Sequence, residues 1–330
     1  MEYTYLGGTG VKVSKLCFGT MSFGGDADEQ TSAALYKRCR DAGINFFDCA
    51  NVYNGGAAEK ILGQLAGGHR SEVVITSKVY FPTSQDINAR GGSRKHIRDA
   101  VDASLKRLNT DYIDVYFLHR FDDFTPLPEV LRAMDDLVRQ GKILYPAASN
   151  FAAWQVAKAL GISAAHDLAR FECLQPMYNL VKRQAEVEIL PMALSENIAV
   201  TPYSPMGGGL LSGKYGKNKK PEHGRLVDNK MYTTRYGVDN YYQTAEDFTE
   251  FAIQNGYTPA SLAVAWVGAH PAVTAPIIGA RNLEQLEGSL GSVNIQMTPE
   301  LYAQVSQFSP TPPPATDRNE EVTQFNYGSR

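Results

Sequence analysis

The sequence predicts an α/β protein, a (β/α)8 TIM barrel with an N-terminal β-hairpin and a long loop after its seventh strand. Three observations carry that prediction. Apolar, strand-like runs alternate with helical stretches along the chain. Four of the runs, INFFDCA, VVITSKV, IDVYFLH and ILYPAASN, close on Asp48, Lys78, His119 and the pair Ser149-Asn150. An unpaired buried charge is costly, and the strand C-termini of a parallel βα barrel are where catalytic side chains collect. The spacing agrees: 30 residues separate Asp48 from Lys78, then 41 lead to His119, 31 to Asn150, 25 to Gln175 and 28 to Tyr203. A βαβ unit takes about 30 residues. An open doubly wound sheet is the alternative, but the Gly-rich turn after its first strand is missing.

Tyr3 to Leu6 and Val11 to Val13 flank Gly7-Gly8-Thr9-Gly10 and read as a hairpin occupying residues 1–15. LCFG (16–19) is a strand, and the helix Glu29 to Ala42 is stopped by Gly43. INFFD (44–48) leads to a helix over 58–66 with Gly67-Gly68 as its stop. VVITSK (73–78) precedes a Gly/Ser/Arg-rich loop and a helix over 93–108 with Ser93 as N-cap. IDVYFLH (113–119) is followed by a helix from Pro126-Leu127-Pro128 to Gly141. ILYPAAS (143–149) precedes an Ala-rich helix ending at Gly161, and Pro146 inside that strand predicts a bulge. ECLQ (172–175), a helix from Glu186 to Asn197 and AVTPY (199–203) continue the alternation. Residues 207–244 lack periodicity and read as a substrate or cofactor loop. Ser261 to His270, APIIG (275–279) and Asn282 to Leu290 complete the pattern, and the Pro-rich tail over 309–330 reads as extended. The whole of 1–330 reads as one domain.

Composition narrows the function. With 43% hydrophobic and 20% charged residues the chain can bury a large core. The net charge of −3, without an extended basic patch, argues against nucleic acid as partner. No secretory signal and no apolar run of about 20 residues is present, so no membrane partner is expected. Cys17, Cys39, Cys49 and Cys173 are scattered without CxxC spacing, which fits reduced thiols in a cytoplasmic protein. The histidines lack HExxH or paired spacing, so no catalytic metal is expected.

Taken in order, GINFFDCANVYNGGAAEKILG, VVITSK, LNTDYIDVYFLH, SNF, LQPMYNLVKR, TPYSPMGGGLLSGKY and IIGARNLEQLEGSL resemble the aldo-keto reductase superfamily through most of the chain. The resemblance implies a barrel, NADPH/NADP+ as cofactor and reversible carbonyl–alcohol interconversion on a small-molecule substrate, with sugar-derived and aromatic carbonyls as the candidates. It implies a catalytic set of Tyr53, Asp48, Lys78 and His119. Ser149, Asn150 and Gln175 would hold the nicotinamide carboxamide, with Tyr203 stacked on the ring. Ser204, Met206, Gly207 and Leu210 would run beneath the pyrophosphate, with Pro205 and Lys214 as implied cofactor contacts. Gly19, Thr20, Met21 and Gly279 are further implied cofactor contacts. Arg281 would bind the 2′-phosphate and Gln285 the adenosine end. Two departures stand out: Gly288-Ser289 replaces a Glu-Asn pair, and Gly207-Gly208-Gly209 replaces Gly-Arg-Gly.

Physical chemistry assigns compatible roles. Reducing a carbonyl needs a hydride at carbon and a proton at oxygen. A phenol of pKa about 10 is a weak acid at neutral pH, and a Lys78 ammonium beside Tyr53 would lower that pKa. Asp48 would hold Lys78 charged, and His119 would donate to the substrate oxygen. Phe23, Tyr80 and Arg120 are candidate substrate contacts, although strand alternation could equally turn Arg120 to solvent. Gly208 to Lys214 mimics P-loop spacing, but Tyr215 stands where Ser or Thr must follow. Two other functions stay open: an NADPH-binding, redox-sensing regulatory subunit of slow turnover, and a Schiff-base aldolase using Lys78. A homo-oligomer is compatible with the sequence.

Overall fold

A computed structural model describes residues 1–324. The hairpin forms from β1 (Tyr3–Tyr5) and β2 (Lys12–Ser14), paired antiparallel. Eight parallel strands follow: β3 (Cys17–Gly19), β4 (Phe46–Asp48), β5 (Val74–Val79), β6 (Ile113–Leu118), β7 (Ile143–Ser149), β8 (Cys173–Gln175), β9 (Ala199–Val200) and β10 (Ile277–Ile278). They pair in chain order, and β10 lies beside β3. Backbone bonds from Thr274 N to Val200 O (2.9 Å) and Ile277 N to Pro202 O (2.9 Å) span the remaining gap, so the sheet closes into the expected barrel.

Side chains alternate across each strand, and that parity builds the interior. Cys17, Phe46, Val74, Val115, Phe117, Ala147, Cys173, Ala199 and Ile277 form one buried cluster. Leu6 and Val13 of the hairpin belong to it as well. Stepping two residues onward along the strands from Phe46, Phe117, Ala147 and Cys173 gives Asp48, His119, Ser149 and Gln175. Lys78 shares the parity of Val74. The larger cluster lies between strands and helices, with Phe18, Phe47, Ile75, Tyr116 and Leu118 as the opposite parity.

The helical layer begins with α1 (Glu29–Asp41), α2 (Ala57–Ala66), α3 (Arg94–Leu108), α4 (Leu127–Arg139), α5 (Ala153–Ala165) and α6 (Ile189–Ser195). Asp28 caps α1 through Thr31 N and Ser93 caps α3 through His96 N, so the chain enters both helices with satisfied donors. The long segment after β9 departs from the expected irregular loop. It contains a 3-10 turn over Gly207–Ser212 and three helices, α7 (Arg225–Asp228), α8 (Lys230–Tyr236) and α9 (Asp239–Gln254). Buried Leu226, Tyr232, Tyr236 and Tyr242 anchor them. An aromatic-rich pattern of short helices shows no long period in sequence, which hid them. The set ends with α10 (Pro259–Gly268), α11 (Leu283–Leu290) and α12 (Pro299–Ser306).

Three local expectations are corrected. The α5 helix runs through Gly161 to Ala165, since an exposed glycine costs a helix only about 1 kcal/mol. No bulge forms at Pro146: β6 and β7 keep one register from Ile113↔Ile143 to Leu118↔Ala148. The Pro146 carbonyl accepts from Glu172 N, and the β7–β8 ladder begins only at Ala147↔Cys173. The proline therefore lacks its N–H ahead of the first rung, where no bond is forfeited. In the tail, residues 310–318 carry no helix or strand, but a 3-10 turn follows at Asn319–Val322. The end of the predicted extended tail, 325–330, lies outside the described residues.

The layer packing is tight where α2 meets the end of α3. A Cβ on buried Gly63 would meet the Leu108 carbonyl. Gly63→Ala should lower stability by about 1–3 kcal/mol in urea titration, although alanine gains roughly 1 kcal/mol of helix propensity. An unchanged or raised denaturation midpoint would contradict this close approach.

Candidate active site

The interior parity places Asp48, Lys78, His119, Ser149 and Gln175 at the C-terminal mouth of the barrel. Lys78 is fully buried and Asp48 nearly so. Lys78 Nζ donates to both Asp48 carboxylate oxygens at 2.7 Å, to the Cys49 carbonyl at 2.7 Å and to the Tyr53 hydroxyl at 3.3 Å. Asp48 Oδ1 also accepts from Thr76 Oγ1 and Gln175 Nε2, each at 2.8 Å. Thr76 was missed in sequence; its signal is the VITSK alternation that puts it one inward step before Lys78. Tyr53 follows β4 on a 3-10 turn in which Asn54 and Gly55 take left-handed backbone, with φ of 48° and 63°. The Asn54 side chain donates to the carbonyls of Met21 and Phe23, fixing that turn against the β3 loop.

The His119 ring stands edge-on to Tyr53, with centroids 6.1 Å apart, and Nδ1 is buried without a hydrogen-bond partner. Phe81 also meets the imidazole edge-on at 4.9 Å. Phe81 was overlooked beside Tyr80, and nothing local in the sequence separates the two rings.

Burial sets the charge states. Desolvation pushes the Tyr53 phenol up to about 12, against the downward pull of Lys78. Lys78 pulls the pKa of the half-buried phenol down, as expected, but desolvation outweighs that pull. Burial opposes the Lys78 ammonium, but the Asp48 carboxylate more than offsets it and keeps Lys78 charged. Desolvation first, then the nearby Lys78 charge, lowers His119 to about 3, leaving the imidazole neutral.

At the next sector of the rim, Ser149 Oγ donates to the Gln175 carbonyl (2.9 Å). Asn150 Nδ2 donates to the His119 carbonyl (2.9 Å) and Ser149 Oγ (3.0 Å), while Tyr203 donates to Asn150 Oδ1 (2.8 Å). Thr20 binds the Asp48 carbonyl through its amide and its hydroxyl, which ties Gly19-Thr20-Met21 to this rim. Gly207, Gly208 and Gly209 all have positive φ (60°, 70° and 104°), a run that side-chain-bearing residues adopt at a cost. Ser204 is left-handed as well, with φ 58°. Pro205 and Leu210 are buried, Met206 is half-buried and Lys214 is exposed. Arg281 pairs with Asp26 at 2.9 Å, and its amide donates to Gln285 Oε1 at 3.1 Å, beside exposed Gly279.

Two of the three expected substrate contacts fall elsewhere. Phe23 is wholly buried, its ring 5.7 Å from Phe18 in the outer core, because the turn after β3 folds it inward. Arg120 has the parity opposite to His119 and stands in solvent 3.8 Å from Asp123. Tyr80 remains half-buried near the mouth, edge-on to Phe81 at 5.4 Å. Among the described residues no helix is long and apolar enough to cross a membrane.

Comparison with known proteins places this geometry. A model of the aldo/keto reductase family matches residues 15–310. The chain is 39% identical over 324 residues to "Uncharacterized oxidoreductase YrpG" of Bacillus subtilis, covering 94% of this chain and 97% of that protein. It is 36% identical to the "Probable voltage-gated potassium channel subunit beta" of Arabidopsis thaliana, covering 95% and 98%. It is 31% identical to "Versiconal hemiacetal acetate reductase" of Aspergillus parasiticus, covering 91% and 94%.

The neutral, half-buried His119 makes stability pH-dependent. Its ordinary pKa of 6.5 holds in the unfolded chain and about 3 in the folded one, so the unfolded chain takes up the proton first. The contribution of the neutral ring is complete above pH 6.5 and is lost as pH falls toward about 3. Stability measured by urea titration across that window should fall less steeply in His119→Asn than in the unmodified protein. Equal slopes would place the ring in contact with water.

Proposed function

The chain belongs to the aldo/keto reductase family, and from that premise we propose that it interconverts an aldehyde or ketone and its alcohol with NADPH. The observation that carries this reading is the Lys78 ammonium, held by Asp48 and 3.3 Å from the Tyr53 hydroxyl. NADPH, when bound, supplies the hydride that reaches the carbonyl carbon. Tyr53 supplies the proton at the carbonyl oxygen. At pH 7 a phenol of pKa about 12 is protonated, hence ready to donate. Lys78 stabilises the phenolate that donation leaves, which then recovers a proton from solvent. Asp48 keeps the ammonium charged and fixed. His119, uncharged, can donate one N–H to the substrate oxygen and orient it. The direction of reaction follows the supply of substrates.

The residues suit the cofactor. The left-handed glycine run, with Gly208 and Gly209 half-buried, offers backbone N–H groups that would suit phosphates. Ser149, Asn150 and Gln175 stand together at the rim, where a carboxamide could exchange bonds with them. Arg281 would grip the 2′-phosphate, in competition with Asp26. The Phe81 ring beside His119, with Tyr80 edge-on to it, favours a flat, aromatic carbonyl over a sugar.

The likeness to the Arabidopsis protein named as a channel β subunit favours a second reading, an NADPH-binding regulatory subunit with slow turnover. Sustained turnover with an aromatic aldehyde, followed by NADPH absorbance, separates the two: release of one equivalent per chain and then arrest would favour the subunit.

Tyr53→Phe should lower kcat by about 10²–10⁴-fold, with NADPH affinity by fluorescence titration unchanged; a kcat close to that of the unmodified enzyme would remove Tyr53 from the chemistry. Arg281→Met should weaken NADPH binding by about 1.5–3 kcal/mol while leaving NADH binding as it was. Equal losses for both cofactors would move the 2′-phosphate contact elsewhere.

A further inference from the structure

We propose that a polar cavity of about 120 Å³ beside the Tyr53 turn is a second binding site, for a small uncharged polyol. Its wall is formed by Asn51, by the loop between β5 and α3, and by one face of α3. Asn51 is only 2% exposed, and neither atom of its side-chain amide has a hydrogen-bond partner. His96, 3% exposed on the first turn of α3, lines the same cavity, and its Nε2 is also without a partner. Three orphaned polar atoms on two residues that line one cavity are unusual, because each buried group left unbonded costs about 1–3 kcal/mol.

The chemistry of the wall selects the ligand. Lys95 pairs with Asp99 at the rim. Arg107 is committed to Glu59, with Nε 2.6 Å from the carboxylate. The Asp86 carboxylate turns back to accept from Asn88 N at 2.8 Å. With its cations already paired, the cavity lacks a free charge to hold an anion. Among the described residues no group of three or more His, Cys, Asp or Glu side chains is placed to hold a metal. What remains is the Asn51 amide, the Thr83 hydroxyl, the Asn88 amide, an Asp86 carboxylate that can accept further bonds, and a His96 imidazole whose pKa burial lowers. Adjacent hydroxyls, each a donor and an acceptor, satisfy such a set. The space is too small for a nucleotide or a drug-sized ligand, whose pockets span about 300–1,000 Å³.

The position gives an occupant a route to the active site. Asn51 lies two residues before Tyr53, and its backbone N–H donates to the Lys78 carbonyl at 3.3 Å. A ligand that fixes Asn51 therefore fixes a turn held between the proposed acid and its ammonium.

The test uses the full chain and erythritol as probe. Saturation transfer from protein to erythritol is expected in NMR, together with displacement of the His96 ring-nitrogen resonances. Ala103 lines the cavity on α3 outside the catalytic set; Ala103→Leu fills the space and should abolish both effects. No transfer to erythritol in the unmodified protein, as when the cavity holds water only, would overturn the proposal. Transfer that persists in a folded Ala103→Leu would overturn it too. Should that variant fail to fold, the His96 resonances of the unmodified chain decide by shifting or staying. These readouts need no reductase activity, so their failure is distinct from failure of the proposed reaction.

Discussion

The buried pair of Asp48 and Lys78 is the constraint around which this barrel mouth is arranged. An isolated ammonium at that depth is prohibitively costly, and even a pair recovers its desolvation only with good geometry and extra hydrogen bonds. Those extra bonds are present: Thr76 and Gln175 donate to Asp48, and the Cys49 carbonyl accepts from Lys78. Strands β4, β5 and β8 are thereby cross-linked through one carboxylate. Removing either charge would strand the other without compensation, so the pair works as a unit.

Strand parity brings these residues to the same place. The inward positions below the mouth are apolar except Thr76, which bonds Asp48, and the hairpin residues Leu6 and Val13 join the same cluster. The other polar groups therefore form the last interior layer, where water and ligands arrive. This layering resolves a conflict between packing and chemistry: the interior stays apolar to its upper edge, and the costly groups sit together where they satisfy one another. Burial then acts on their charge states, and for Tyr53 it works against the Lys78 ammonium that would stabilise the phenolate. It keeps both Tyr53 and His119 uncharged near neutrality and leaves Lys78 as the positive charge beside them.

The glycines at Gly207 to Gly209 and the helices that follow form a different kind of structure. Here the backbone is left-handed, and Tyr232 packs so close that a Cβ on Gly208 would collide with its ring. Anchoring comes from aromatic residues without long periodicity, which explains how a structured segment passed for an irregular loop.

Much of the barrel was legible because its signals are local and repeated. Apolar runs, their polar ends and the intervals between them set the strand order, and Ser93 and Asn282 marked helix starts that the structure retains. The meeting of Asp48, Lys78, Tyr53 and His119 could also be read, since parallel strands in chain order leave their ends at one mouth. Other features depended on neighbours distant in sequence. Phe23 turned into the core, Arg120 paired with Asp123, and Pro146 kept its register because β8 starts one residue later. The net acidity of Tyr53 depends on distant neighbours in the same way: the pull of Lys78 is legible in the sequence, but the desolvation that outweighs it is not. The sequence by itself determined which groups stand at the strand ends. Only the tertiary structure decided how dry their surroundings are, because desolvation belongs to the enclosed volume and to no single residue within it.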